Sequence, residues 1–245
     1  MQRIRSIRTI SIVTLVVAGI IAAITIAVAP AFAAGSGASA TPAATSKASS
    51  APTKPPVVKK FIAYGAGRKA QTADYNQRHY RQHTYVLSRP RAVVLHHTAG
   101  ADWQSAWNAF DANTAYVTAA GKEKPGVSAQ FIIAKDGTIF QTMPLTYRAR
   151  HCIGMNHVSF GIEFCQESAG HDGHWMERQI LSRTRQVNAG LKLVRWLQYR
   201  YGIKTSDVVG HATANGSRFF KDYTGIKNGA GDWFSAELKI FRSRL

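Results

Sequence analysis

The sequence predicts an α/β (α+β) fold: a single domain with a central mixed β-sheet flanked by helices, preceded by a signal segment and a flexible linker. Three observations support this. Short apolar, β-branched runs such as Val93-Val94-Leu95, Ile132-Ile133 and Val208-Val209 read as buried strands. Stretches with apolar residues at helical spacing lie between them, and strands alternating with helices imply a sheet covered by helices. An apolar fraction of 45% over 245 residues is enough for one real core.

The elements follow in chain order. Residues 91–97 read as a central strand ending in His96-His97. Asp102 can cap a helix carrying Trp103, Ala106, Trp107 and Phe110 on one face. Residues 121–126 form a loop in which Pro125 bars helix. Residues 129–134 and 138–142 are two strands joined by the turn Lys135-Asp136-Gly137-Thr138, where Gly137 supplies the positive φ of a tight hairpin. Residues 159–165 are a further strand. Residues 177–201 read as one long amphipathic helix with the stripe Ile180, Leu181, Thr184, Val187, Leu191, Val194, Leu197, Tyr201, ended by Gly202. Residues 207–210 are a short buried strand. Asp232 is expected to cap a last helix bearing Trp233, Leu238 and Phe241.

The N-terminus reads as an export signal. Arg3, Arg5 and Arg8 precede an apolar run over 10–29, and Ala31 and Ala33 fit a cleavage site after Ala33. The run is nearly long enough to span a bilayer, so an uncleaved anchor is the alternative. Residues 1–34 are therefore expected to be the signal or anchor. Residues 35–56, rich in Ala, Ser, Thr and Pro, are expected to be a flexible spacer, because they lack the apolar surface needed to fold. The folded domain is expected over 57–245, secreted or held in the cell envelope. There an excess of 31 Lys and Arg over 13 Asp and Glu, a net charge of +18, suits anionic wall polymers. No zinc finger or aromatic-basic signature is present, so nucleic acid is not expected as a partner. Contact with membrane is expected only through the N-terminal segment. Cys152 and Cys165 could pair in an oxidising compartment or serve as small hydrophobes.

Three strand ends carry chemistry. His96 follows an apolar run, His211 follows Val208-Val209-Gly210, and Glu163 interrupts the apolar run Phe160-Gly161-Ile162. Alone, His96 would read as an inert core histidine and Glu163 as the partner of a nearby Arg. Together with a carboxylate near His211, for which Asp222 is the candidate, they offer two imidazoles and one carboxylate. That set leaves the fourth position of a tetrahedral zinc ion open for water, the arrangement of a catalytic site. A buried carboxylate such as Glu163 is costly unless paired or working.

These stretches resemble the zinc-dependent N-acetylmuramoyl-L-alanine amidases of the phage amidase-lysozyme and peptidoglycan recognition protein type. The likeness covers roughly residues 91–232. Val93 to Gly100 is similar to the family's first zinc-histidine strand, residues 131–139 to its central hairpin, His151 to Glu163 to the loop and strand lining the substrate groove, and Gly210-His211 to the second ligand strand. The resemblance implies one zinc ion held by His96, His211 and Asp222, with Glu163 assisting the water. It implies hydrolysis of the amide between N-acetylmuramic acid and the L-alanine of the stem peptide. Lys221 is expected to stabilise the oxyanion, with Arg218 or His151 as substitutes, and His151, Asn156 and Arg218 are expected to contact substrate. The sequence departs from the family at two places. Gln130 stands where a His is frequent, and Lys221 is adjacent to Asp222 where the family has a Lys two residues before a ligand that precedes Pro-Gly. Two rivals remain: a non-catalytic peptidoglycan-binding module of the same fold, and a zinc endopeptidase acting within the stem peptide.

Overall fold

The computed structural model describes residues 51–118 and 121–245. The expected signal segment (1–34) and most of the expected linker (35–56) lie outside the described residues. Among the described residues no helix is long and apolar enough to cross a membrane.

Six strands form one mixed sheet: β1 (Val58–Lys59), β2 (Ala92–Ala99), β5 (Phe131–Ile133), β6 (Ile139–Gln141), β7 (Ser159–Glu167) and β8 (Val208–Gly210). Their spatial order is β1-β6-β5-β7-β2-β8. Only the β5–β6 hairpin is antiparallel; every other neighbouring pair is parallel. A separate hairpin pairs β3 (Tyr116–Thr118) with β4 (Gly121–Glu123), in part of the stretch expected to be loop. Among the described residues five α-helices accompany the strands: α1 (Ala66–Tyr80), α2 (Trp103–Asp111), α3 (Gly173–Ser182), α4 (Thr184–Tyr201) and α5 (Ser235–Ser243). As expected, Asp102 caps α2, accepting from the Ser105 N–H at 2.8 Å.

Strand alternation divides the core. Val93 and Leu95 of β2, Phe160, Ile162 and Phe164 of β7 and Val208 of β8 pack with Ile180, Val187, Leu191, Val194 and Leu197 of α3 and α4, and with Leu238 and Phe241 of α5. On the other face Ala92, Val94 and Val209 meet Cys152, Met155 and Ala214, while Ile132, Phe140 and Cys165 meet Phe110. Cys152 and Cys165 are both free and buried, in different clusters.

The expected single helix over 177–201 is two. Arg183 is extended, with φ −83° and ψ 96°, and separates α3 from α4. Ile180 and Leu181 before the break and Val187 and Leu191 after it feed the same core, so the apolar stripe runs through the break undisturbed.

Gly190 lets α4 lie close to the sheet. A Cβ there would sit 2.5 Å from Phe164 Cζ. Gly190→Ala should therefore destabilise the protein. The helix-propensity gain of about 1 kcal/mol is smaller than the roughly 1–3 kcal/mol cost of overpacking a filled core. Denaturant unfolding of the two proteins measures the difference; an unchanged or higher midpoint would show that Phe164 gives way freely.

Candidate metal centre and substrate cleft

The parallel register brings the candidate residues together. His96 on β2 lies opposite Glu163 on β7, and Leu95 lies opposite Gly210, the last residue of β8. His211 immediately follows, so His96, Glu163 and His211 lie side by side toward the C-terminal ends of three adjacent parallel strands, where open α/β sheets place their ligand sites. His96 has the strand parity of Ala92 and Val94, on the face away from α3 and α4.

The aspartate that meets the two histidines is Asp232. Its Oδ2 lies 3.1 Å from His96 Nδ1 and its Oδ1 lies 3.0 Å from His211 Nδ1. One donor atom from each of His96, His211 and Asp232 falls within 4.8 Å of the others. Asp222, expected here, is not part of the group. Its Oδ2 lies 2.6 Å from Nδ1 of His79, whose other ring nitrogen lies 3.2 Å from Glu123. Asp222 therefore completes a buried carboxylate–imidazole–carboxylate chain that ties the end of α1 to β4 and to the 221–224 loop. Asp232 does not cap α5 either; the residue at that cap is Phe234.

Several contacts hold Asp232. Its carbonyl accepts from the Ala212 N–H at 2.8 Å, and the Trp233 indole N–H donates to the His96 carbonyl at 3.0 Å. Trp233 is fully buried and has φ 55°. Left-handed backbone at a bulky residue is strained, and the packing of this indole over-determines it. Gly210 permits the close approach, since a Cβ there would lie 1.8 Å from the Trp233 carbonyl oxygen.

Both imidazoles turn Nδ1 toward Asp232 because Nε2 is held elsewhere. His211 Nε2 lies 3.1 Å from Asn228 Oδ1, and Asn228 Nδ2 donates to the Ile153 carbonyl at 2.8 Å, which fixes the amide's orientation. An amide oxygen only accepts, so His211 Nε2 carries a proton and Nδ1 is left for a metal. His96 Nε2 lies 3.0 Å from His151 Nδ1. His151 packs on the bare backbone of Gly161, where a Cβ would come within 2.7 Å of the ring. The donor set therefore fits a divalent ion: two oriented imidazole nitrogens and a carboxylate converge on one point.

Without a metal the two histidines differ, and an ion would have to displace the proton that His211 shares with Asp232. Burial pushes the His96 imidazole down to about 4, so it is neutral, the form that binds metal. Burial opposes charge on His211 as well, but its contacts with Asp232 and Cys152 raise it to about 11. Against its own desolvation, the Asp232 carboxyl is held well below the usual carboxylate range by His211 and His96. Burial, reinforced by Asp232, pushes Glu163 up to about 8. No Arg or Lys pairs with Glu163 among the described residues, and its buried Oε2 has no hydrogen-bond partner. A cleft of about 450 Å³ beside it is lined by His96, Glu163, His211 and Asp232, with Tyr116 and Arg150 on its wall.

The other expected residues lie elsewhere or do other work. Lys221 holds its ammonium 4.7 Å from the centre of the Tyr223 ring. It lines neither this cleft nor the adjoining one that shares Tyr116, Arg150, His151 and His211 with it. Arg218, expected at the substrate, forms a two-point ion pair with Asp207 at 2.9 and 2.7 Å. Asn156, also expected at the substrate, is 1% exposed, and its Oδ1 accepts the His151 and Cys152 N–H groups. It shapes the loop that aims His151. His151 does line the cleft. Gln130, at a position where the family often has His, accepts from the Gly161 N–H at 2.7 Å and donates to the Tyr147 carbonyl. Asp232 and Asn228 escaped sequence reasoning. The signal at Asp232 was a carboxylate between Gly231 and two aromatic residues, and it read equally well as a helix cap.

Two imidazoles and a carboxylate beside a glutamate whose Oε2 is sealed without a partner make a candidate metal centre on the mixed sheet. The family model for N-acetylmuramoyl-L-alanine amidase matches residues 87–222, more than half of the chain, and the chain belongs to that family. Among solved structures it is similar to an endolysin N-acetylmuramoyl-L-alanine amidase from Clostridium intestinale, at 18% identity and TM-score 0.47 over 77% of this chain and 96% of that one. It is also similar to a mutant endolysin from Bacillus subtilis, at 21% identity and TM-score 0.42 over 66% of this chain and 87% of that one. No curated protein matches.

Glu163 gives a pH test in chelator-treated protein. A carboxyl whose pKa is raised on folding stabilises the fold below its ordinary pKa and loses that contribution as the pH climbs through about 8. Glu163→Gln should therefore gain stability relative to the parent between acid and alkaline pH, seen as diverging thermal midpoints. Parallel profiles would mean that Glu163 ionises in the fold as freely as in water.

Proposed function

We propose that this protein is a peptidoglycan amidase that hydrolyses the bond between N-acetylmuramic acid and the L-alanine of the stem peptide, using one zinc ion held by His96, His211 and Asp232. Family membership supports the substrate class. One observation carries the site assignment: both histidines present Nδ1 to Asp232, with the three donor atoms within 4.8 Å of one another, next to a Glu163 oxygen that has no partner.

A zinc ion bound to such a set supplies Lewis acidity toward a carbonyl and toward water. The chain's own residues do the rest. Glu163, which lines the cleft, takes the proton of the attacking water and returns it to the leaving nitrogen of L-alanine. A group that must both accept and donate works best with a pKa near the operating pH, and burial moves Glu163 in that direction. His151 holds Nε2 of His96 and lines the cleft, so it orients one ligand while facing substrate. Asn228 does the same for His211 from the adjoining cleft. Tyr116 and Val117, both more than half exposed on the β3–β4 hairpin, give that cleft an apolar wall against which a sugar ring or stem peptide can lie. With Lys221 on Tyr223, no lysine of the 221–222 segment serves the oxyanion. Export through the N-terminal segment, and retention on anionic wall polymers by the +18 charge, belong to the same proposal.

Asp232→Asn should abolish bound zinc and turnover together, whereas Asp222→Asn should keep both and lose stability, because His79 is left with one carboxylate. Glu163→Ala should keep zinc and lose turnover by about two to four orders of magnitude. Zinc content and muropeptide release measure all three; zinc retained in Asp232→Asn would remove Asp232 from the ligand set.

Mass spectrometry of digested peptidoglycan identifies the bond. Free lactyl ends and intact stem peptides are expected. Cleavage within the peptide would make the protein an endopeptidase, and intact wall bound to zinc-loaded protein would make it a binding module.

A further inference from the structure

A second group of metal-binding side chains lies outside the cleft. His174 and Glu177, three residues apart on the first turns of α3, share one helix face, and Glu237 reaches them from the first turn of α5. One donor atom from each lies within 4.8 Å of the others. His174 Nδ1 is 2.9 Å from Glu237 Oε2, and Arg178 lies 3.3 Å from Glu237 Oε1. Glu177 is fully buried. Its Oε2 accepts the Phe234 N–H at 3.0 Å, while its Oε1 is sealed from solvent with no hydrogen-bond partner.

That last atom separates this cluster from an ordinary surface ion network. A buried carboxyl oxygen without a partner costs about 1–3 kcal/mol or more, and nothing in the packing of α3 requires an acid there. Glutamine would keep the bond to Phe234 and carry no charge. Two carboxylates so close repel unless a proton or a cation lies between them, and His174 and Arg178 both engage Glu237 rather than Glu177.

We propose that His174, Glu177 and Glu237 bind a second divalent ion, of the zinc or manganese type, that staples α3 to α5. One imidazole and two carboxylates suit such ions better than calcium or magnesium, which prefer all-oxygen shells. Helix faces carrying His and Glu three residues apart, completed by a Glu from a neighbouring helix, are a recurrent way to hold them. The staple has a consequence for the first site. Phe234, held by Glu177, is two residues beyond Asp232, so an ion here would rigidify the segment that delivers Asp232 to His96 and His211.

The test is made in His96→Ala protein, where the cleft site is disabled. Dialysed against excess zinc or manganese, it should retain one equivalent by elemental analysis, and its thermal midpoint should rise with added metal. Both effects should vanish when Glu177→Gln or His174→Ala is added, with circular dichroism confirming the fold. The parent should hold two equivalents, and Glu177→Gln alone should hold one. No metal in His96→Ala, a bound ion that survives when Glu177→Gln is added to His96→Ala, or binding of calcium alone would overturn the proposal. In the first outcome the cleft assignment stands, because the parent's ion is then lost with His96.

Discussion

The candidate site depends on the parallel register of three strands. β7, β2 and β8 run the same way, and their pairing sets Glu163, His96 and His211 side by side at one edge. Ladder hydrogen bonds hold that register, and a slip of one residue would turn His96 to the face of α3 and α4. Strand ends also hold side chains more rigidly than loops do, which suits groups that must converge on one ion. The rest of the site is built onto this edge: His151 seats against Gly161 of β7, and Asn228 reaches His211 from a loop.

Asp232 arrives differently. It comes from an irregular segment, and tertiary contacts alone carry it to the strand edge. The Trp233 indole closes onto the His96 carbonyl, the backbone of Gly210 admits the Trp233 carbonyl, and Glu177 anchors the next amide. The φ of 55° at Trp233 is the local cost of this path. An aspartate facing two imidazoles is stable where it stands, because proximity to His211 and His96 favours its charged form despite burial. Glu163 has no such compensation. The contrast between two nearby carboxylates, one held ionised and the other pushed up to about 8, is the separation expected when one anchors a charge and the other moves protons.

Ion pairs elsewhere show a structural use of the same groups. His79 between Asp222 and Glu123, and Arg218 on Asp207, satisfy charges outside the histidine–aspartate group and stitch loops to elements. A sequence motif cannot separate these uses, since an Asp following a Lys looks alike whether it faces a metal or a histidine of α1.

The core strands β2, β5, β6, β7 and β8, the β5–β6 hairpin, the cap of α2 and the positions of His96, His211 and Glu163 were legible in the sequence. Each rests on local physics: apolar runs, turn glycines, and a polar residue at the end of a buried strand. Three features were not legible, because each depends on contacts distant along the chain. The break at Arg183 leaves the apolar stripe continuous. The largely polar helix α1 has little apolar periodicity, and it is tied down in part by Arg68 bonding to the Phe110 carbonyl and by His79. The carboxylate beside the two histidines lies 136 residues from His96, so no local pattern distinguishes Asp232 from Asp222. The sequence by itself determined which core strands form and which histidines they carry. Only the tertiary structure decided which aspartate joins them, because that choice is made by the packing of Trp233 and the fit at Gly210 rather than by any preference of the segment that carries it.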